Sequence, residues 1–312
     1  MLEKNFIYKF PKVVRIEPSA TCNLSCIHCP TGTYQNPIKG NMTKELFSKV
    51  IDQIKDERID VVVLYMGGEP FINKDFFFML KELKKIKIPW TKTVSNGMLL
   101  NSSMIDKILD STLDSIEFSL DGIDSKMNDF IRKKSSHKKV INNIKELIEK
   151  KVKRNSNIEI KISSTQFKYY DKNNNLKSPQ SKWLEYEFKS YIEAGLISIA
   201  YTDAIKWSDM NLDENIFDVA VDEDDEISNK CDHIQNTITI RHNGDVVPCC
   251  YDLTSQLIMG NMQIKPLQEI WNNDKYLKLR KSIYEKNFYS ICDECSVVKK
   301  DKYLILKDLN KG

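Results

Sequence analysis

The chain has 312 residues, 41% apolar and 29% charged, with 47 Lys+Arg against 44 Asp+Glu and a net charge of +3. This is the mix of a globular protein large enough for one big domain, or a domain with an appendage. The near-balance of charge argues against nucleic acid or an anionic membrane as partner, and no apolar run reaches the roughly 18–20 residues that span a bilayer.

The N-terminal MLEKNFIYKFPKVVRI lacks an apolar core followed by a small-residue cleavage site, so no signal peptide and a cytoplasmic location are expected. In chain order, VVRIEP (13–18) reads as a strand. TKELFSKVIDQIKDE (43–57) reads as a Thr-capped helix with apolar residues at helical spacing. DVVVLYM (60–66) is a buried strand ended by Gly67-Gly68, followed by a helix over 74–86 and a strand over 90–95 stopped at Asn96-Gly97. Helices at 102–110 and 137–152 flank a strand at 115–120. A strand at 158–163, a helix at 182–195 and a strand at 197–201 complete the series. The lysine-rich stretches 132–139 and 149–154 are read as solvated helix faces.

Six βα-type repeats in about 190 residues predict an α/β fold, a partial (β/α)6 TIM-like barrel with its helices outside. Such folds gather their chemistry at the carboxyl ends of the strands. The unusual residues sit there: a cysteine loop after the first strand, GGEP after the second, SNG after the third and SLDG at the end of the fourth. YYDKNNNLKSPQS (169–181) reads as a loop over the barrel mouth or a disordered insertion. The acidic run in 218–230 reads as an exposed linker. These place a domain boundary near residue 220, with the barrel at 1–220 and a smaller domain at 221–312. The smaller domain is expected to hold a hairpin turning at Asn243-Gly244 and a Pro-initiated helix over 266–283.

The cysteine loop, SATCNLSCIHCP, packs Cys22, Cys26 and Cys29 into eight positions. Thiols of a cytoplasmic protein stay reduced, so clustered cysteines point to metal. A closed tetrahedral site takes four ligands, and three leave a position open. The Cys-x3-Cys-x2-Cys spacing after a first strand, with GGEP after the second, resembles the radical S-adenosylmethionine (SAM) enzymes. That resemblance implies a [4Fe–4S] cluster held by Cys22, Cys26 and Cys29, whose fourth iron binds SAM and cleaves it to a 5′-deoxyadenosyl radical. It further implies SAM contacts from Gly67, Gly68, Glu69, Asn96 and Ser119, from Arg132 to the SAM carboxylate, and from His28 near adenine.

Cys231, Cys249, Cys292 and Cys295 form a second pattern, similar to the C-terminal SPASM/twitch extension that carries auxiliary iron–sulfur clusters. No cysteine follows Cys295, so one auxiliary [4Fe–4S] cluster with four thiolates is expected, its role being to move an electron. A structural zinc ribbon is the alternative. Neighbouring residues of an extended segment point to opposite faces, so Cys250 is read as a buried small hydrophobe beside the ligand Cys249. His233 and His242 are not expected to be ligands.

The spacing resembles twitch-type dehydrogenases acting on an amino-cyclitol. The implied reaction is oxidation of an alcohol of a sugar, sugar nucleotide or amino-cyclitol. Gln166, Tyr201, Asp203, Tyr251 and Asp252 are the substrate-contact candidates. A small-molecule substrate and an external electron donor such as flavodoxin or ferredoxin are the expected partners. Modification of a peptide or protein is the second reading, and a non-catalytic iron–sulfur or zinc scaffold the third.

Overall fold

The computed structural model describes residues 6–33, 35, 38–170, 173, 175–178, 182–208, 210–221, 227–299 and 302–307. The repeats read from the sequence are present. Strands β1 (Val13–Ile16), β2 (Val61–Leu64), β3 (Trp90–Ser95), β4 (Ser115–Ser119) and β5 (Glu159–Gln166) alternate with helices. These are α1 (Lys44–Ile54), α2 (Phe76–Lys85), α3 (Ser102–Leu109), α4 (Ser125–Ile131) and α5 (His137–Lys153). Helix α1 shows the local logic. Thr43 Oγ1 accepts the otherwise orphaned N–H of Leu46 at 3.2 Å, and Leu46, Phe47, Val50, Ile51 and Ile54 turn one buried face to the sheet.

The segment 169–181 contributes β6 (Lys168–Tyr170) and β7 (Leu176–Lys177); residues 171, 172, 174 and 179–181 lie outside the described residues. The helix expected over 182–195 is two short ones, α6 (Trp183–Glu187) and α7 (Lys189–Glu193), interrupted at Phe188, whose ring is fully buried in the core. Strand β8 (Ser198–Asp203) follows. Residues 217–221 are not linker but strand β9 (Phe217–Val221), whose backbone pairs along its length; the rest of the acidic run, 222–226, lies outside the described residues.

The C-terminal region holds α8 (His233–Asn236), β10 (Thr237–Ile240), β11 (Asp245–Val247) and β12 (Gly260–Asn261). After these come α9 (Leu267–Trp271), α10 (Asp274–Tyr284), α11 (Ser290–Asp293) and β13 (Lys302–Leu306). The expected hairpin turns at Asn243-Gly244, where Gly244 adopts φ +88. The helix expected over 266–283 breaks at Asn272-Asn273, because the Asn273 side chain accepts from Tyr276 N at 3.1 Å and starts α10 afresh.

A nine-stranded sheet runs in the order β12-β11-β10-β1-β2-β3-β4-β5-β8, parallel from β10 to β8. The hairpin of the smaller domain therefore extends the barrel sheet at the free edge of β1. One hydrophobic core joins the two regions, since Ile234, Ile238, Ile240 and Trp271 share a cluster with Val14, Ile16 and Phe47. A second sheet, β7-β6-β13-β9, draws strands from three distant parts of the chain. Its Phe217, Leu304 and Leu306 pack with Ile27, Met127 and Ile131, so it roofs the cysteine loop.

Candidate active site

Strand β1 delivers the chain into the cysteine loop. Ser25 N and Ile27 N donate to Lys133 O and Ile131 O, both at 3.0 Å, and stitch the loop to the end of α4. A Cβ on Gly32 would lie 2.4 Å from Cys26 O, so glycine there lets the loop fold back on itself. Cys26 is buried, and Cys22 and Cys29 are half-buried. Burial pushes the Cys22 thiol up and the Cys26 thiol up to about 12. The Cys22 sulfur accepts from Leu24 N at 3.4 Å and from Asn96 Nδ2 at 3.8 Å.

Asn96, at the end of β3, also donates to Asn23 Oδ1 at 2.8 Å, which ties the third strand to the cysteine loop. Its N–H donates to Glu69 Oε2 at 2.8 Å, while Glu69 Oε1 accepts from Ser95 Oγ at 2.9 Å and Phe71 N at 3.3 Å. Burial pushes the Glu69 carboxyl up to about 7 against the pull of these bonds. The described bonds of Glu69 thus go to its own chain, where it caps the 3-10 turn Pro70–Ile72. Gly68 also has an internal reason to be glycine. A Cβ there would meet Ser19 O at 2.4 Å and Thr21 O at 2.5 Å, so the close approach is to the cysteine loop. Gly67 N donates to Glu17 Oε1 at 3.2 Å.

Arg132 follows α4 and places Nη1 2.7 Å from Asp121 Oδ2, while its buried Nε has no hydrogen-bond partner. Asp121 Oδ1 accepts from Thr165 N at 2.9 Å. Burial raises the Asp121 carboxyl, but the charge and hydrogen bond of Arg132, with the Thr165 N–H, outweigh it and hold the group below the usual carboxylate range. His28 meets Phe167 edge-on at 5.3 Å, and burial lowers its imidazole to about 4, so the ring is neutral. Ser119 ends β4, half-buried, beside Ser163 of β5.

Cys231, Cys249, Cys292 and Cys295 line one apolar hollow with Ile234, Ile283 and Val298. Burial first, and then the neighbouring thiols Cys250, Cys295 and Cys231, push the Cys249 thiol well up. Cys250 does not line the hollow, but it is half-buried rather than buried. The reading of it as a buried small hydrophobe is corrected, because the residue keeps part of its surface open. His233 lines the hollow, whereas His242 Nδ1 pairs with Glu17 Oε2 at 2.9 Å.

The substrate-contact candidates are not brought together. Gln166 Nε2 donates to Gly122 O at 3.1 Å and Ser164 Oγ at 2.7 Å, with Oε1 buried and unpartnered. The exposed Tyr201 donates to Glu185 of α6, on the helix side of the sheet, and Asp203 ends the same strand, exposed, opposite Gln166. The fully buried Asp252 closes a turn by accepting from Gln256 N at 2.8 Å and Leu257 N at 3.0 Å. Tyr251 lies by the second thiol set, against Trp207 and His233.

Two groups escaped the sequence reading. Asp121, within the quoted SLDG, has Arg132 as its partner. Glu17, one residue past β1, is fully buried and accepts from Arg241 Nε at 3.1 Å and Arg241 Nη2 at 3.3 Å as well as from His242 and Gly67. An acid two residues past a strand arginine is the local sign of it; its partners lie 50, 224 and 225 residues away.

The Radical SAM superfamily model matches residues 16–162, and the SPASM model, an iron–sulfur cluster-binding domain, matches residues 231–296. The chain belongs to the radical SAM superfamily. It is 21% identical to the tungsten-containing aldehyde ferredoxin oxidoreductase cofactor-modifying protein of Pyrococcus furiosus, over 92% of this chain and 87% of that one. The fold resembles BtrN in complex with AdoMet and 2-DOIA (TM-score 0.58, 15% identity, 93% of this chain and 94% of that one). It also resembles Streptococcus suis SuiB bound to its precursor peptide SuiA (TM-score 0.55, 19% identity, 89% and 69%).

A radical SAM domain implies a SAM-binding [4Fe–4S] cluster and SAM, and the SPASM domain implies auxiliary iron–sulfur clusters. The donor sets fit. Desolvated thiols that would otherwise stay protonated are suited to iron, whose charge stabilises the thiolate. The second set surrounds a hollow rather than a point: among the described residues no three His, Cys, Asp or Glu side chains are grouped to hold a single ion.

Proposed function

We propose that this radical SAM enzyme oxidises an alcohol of a sugar, sugar nucleotide or amino-cyclitol. Cys22, Cys26 and Cys29 would hold the SAM-binding cluster, and Cys231, Cys249, Cys292 and Cys295 one auxiliary cluster. When bound, the first cluster with SAM supplies hydrogen-abstracting radical chemistry. The protein's own part is positioning. Asn96 sets the third strand against Cys22, Arg132 and Asp121 brace the loop from α4, and the second sheet roofs it. Gly67, Gly68, Glu69, Ser119 and His28 surround the place where SAM would sit.

The observation that carries this reading is the second thiol set. Four cysteines line one hollow, enough to ligate one cluster completely. A cluster with four protein ligands has no free iron for substrate, which would suit it to accept the second electron, the one a substrate radical gives up, with its hydroxyl proton, on becoming a carbonyl. The likeness to BtrN over nearly the full length of both chains supports the same reading. Anaerobic turnover with sugars deuterated at each carbon tests it. Deuterium is expected in the 5′-deoxyadenosine, with a carbonyl formed at the same carbon.

A second reading, peptide modification, is favoured by the likeness to SuiB bound to SuiA. Deuterium arriving from a labelled peptide and from no sugar would replace the first reading with this one.

A further inference from the structure

Arg15 of β1 lies opposite Thr239 of β10 in the parallel register. Val14 and Ile16 pack into the helix-side core, so strand alternation puts Arg15 on the inner face of the barrel. Arg15 is 8% exposed and its Nε and Nη1 have no hydrogen-bond partner; Thr239 is fully buried and its Oγ1 has none either. The guanidinium lies 5.8 Å from the centroid of the Tyr65 ring, and among the described residues it forms no ion pair. The nearest buried acid along the chain, Glu17, is already taken by Arg241, His242 and Gly67. Tyr65 also feels Cys250, and His233 feels the Arg15 charge, so Arg15 lies on the side of the second thiol set. Tyr65 stands within hydrogen-bonding reach of the guanidinium, but two buried guanidinium nitrogens and a buried hydroxyl on the adjacent strand have no partner, which is costly unless an outside acceptor completes them.

We infer that Arg15 and the Thr239 hydroxyl seat an anionic group, a phosphate or carboxylate, carried by the substrate. Charge-assisted bonds from a guanidinium to such an oxyanion are the strong ones, and Thr239, its register partner on the adjacent strand, offers a hydroxyl on the same face. The inference rests on the sugar-type reading and narrows it. A sugar phosphate, sugar nucleotide or sugar acid fits the seat. The ammonium of an amino-cyclitol would face a like charge there.

The test is calorimetric titration of the anaerobically reconstituted full chain with glucose 1-phosphate, glucuronate, glucose and glucosamine, repeated with Arg15→Gln, Arg15→Lys and Thr239→Val. One of the two anionic sugars is expected to bind at least about tenfold more tightly than the neutral and cationic ones. Inorganic phosphate should compete, and Arg15→Gln should weaken the anionic sugar by about tenfold or more, with a smaller loss in Arg15→Lys. Preference for phosphate or for carboxylate assigns the group.

Equal affinities for the four sugars, no binding of either anionic sugar, or unchanged affinity in Arg15→Gln overturns the seat. So does an equal loss of SAM affinity, which would give the guanidinium to the cofactor, or a preference for an acidic peptide over both anionic sugars. If Arg15→Gln does not fold, the wild-type comparison and the phosphate competition decide. Deuterium transfer from a peptide alone would remove the proposed function while leaving Arg15-dependent phosphate binding intact. Deuterium transfer from sugars whose affinity ignores charge would remove only the seat.

Discussion

Glu17 is a single carboxylate shared by three parts of the chain. It leaves β1, accepts from Gly67 in the GGEP loop, and pairs with Arg241 and His242 of the hairpin, with both members of the Arg241 pair fully buried. Removing one partner from such a pair strands the other, at a cost of about 3–5 kcal/mol. Glu17→Gln should lower the denaturation midpoint accordingly, and adding Arg241→Met should recover part of the loss; a single variant as stable as wild type would mean the pair is idle. Burial raises the Glu17 carboxyl, but the His242 hydrogen bond and the Arg241 charge prevail and lower it below 4.5. A lowered carboxylate stabilises the fold above its unfolded value and loses that contribution as pH falls through the folded one. The wild-type midpoint should therefore drop below about pH 4.5 more steeply than that of Glu17→Gln. Parallel acid limbs would assign the acid sensitivity to other groups. The first thiol trio supplies a separate check, in which Cys26→Ala should remove about four irons per chain and all 5′-deoxyadenosine formation. Retained cleavage of SAM would remove these thiols from the chemistry.

At the scale of elements, the GGEP turn and the cysteine loop are fitted backbone to backbone through Gly68. Gly68→Ala would drive a Cβ against two carbonyl oxygens of the loop, and backbone cannot yield as a side-chain tip can. The expected result is a loss of about 1–3 kcal/mol of stability with weaker SAM binding, read by thermal melting and by titration of the cluster spectrum. Unchanged melting and affinity would show that the loop tolerates the intrusion. The alternation of apolar runs made the barrel strands, most of its helices and the Asn243-Gly244 turn legible in the sequence, because each is a local pattern. The cysteine spacing likewise announced both thiol sets. What was not legible is long-range. Nothing near Thr237 marks it as the neighbour of Val13, and β6, β9 and β13 meet from distant parts of the chain. Gly68 was expected to make room for a ligand, yet the nearest atoms belong to Ser19 and Thr21.

At the scale of the molecule, the hairpin that follows the acidic run is the outermost part of the barrel's own sheet. A chain ending at residue 220 would expose the edge of β1 and the apolar faces that Ile238, Ile240 and Trp271 now cover. It should be poorly soluble and should lose amide protection at Val13–Ile16 in hydrogen exchange, whereas a truncated barrel with native protection would show that the first 220 residues fold alone. The ladder between β1 and β10 also acts as a ruler. It fixes the spacing between the loop that follows one strand and the thiols that follow the other, so no hinge between those regions is available to tune reactivity. Adaptation to a new substrate would then fall to the small roof over the loop, a piece that evolution can remodel while the ruler keeps its length.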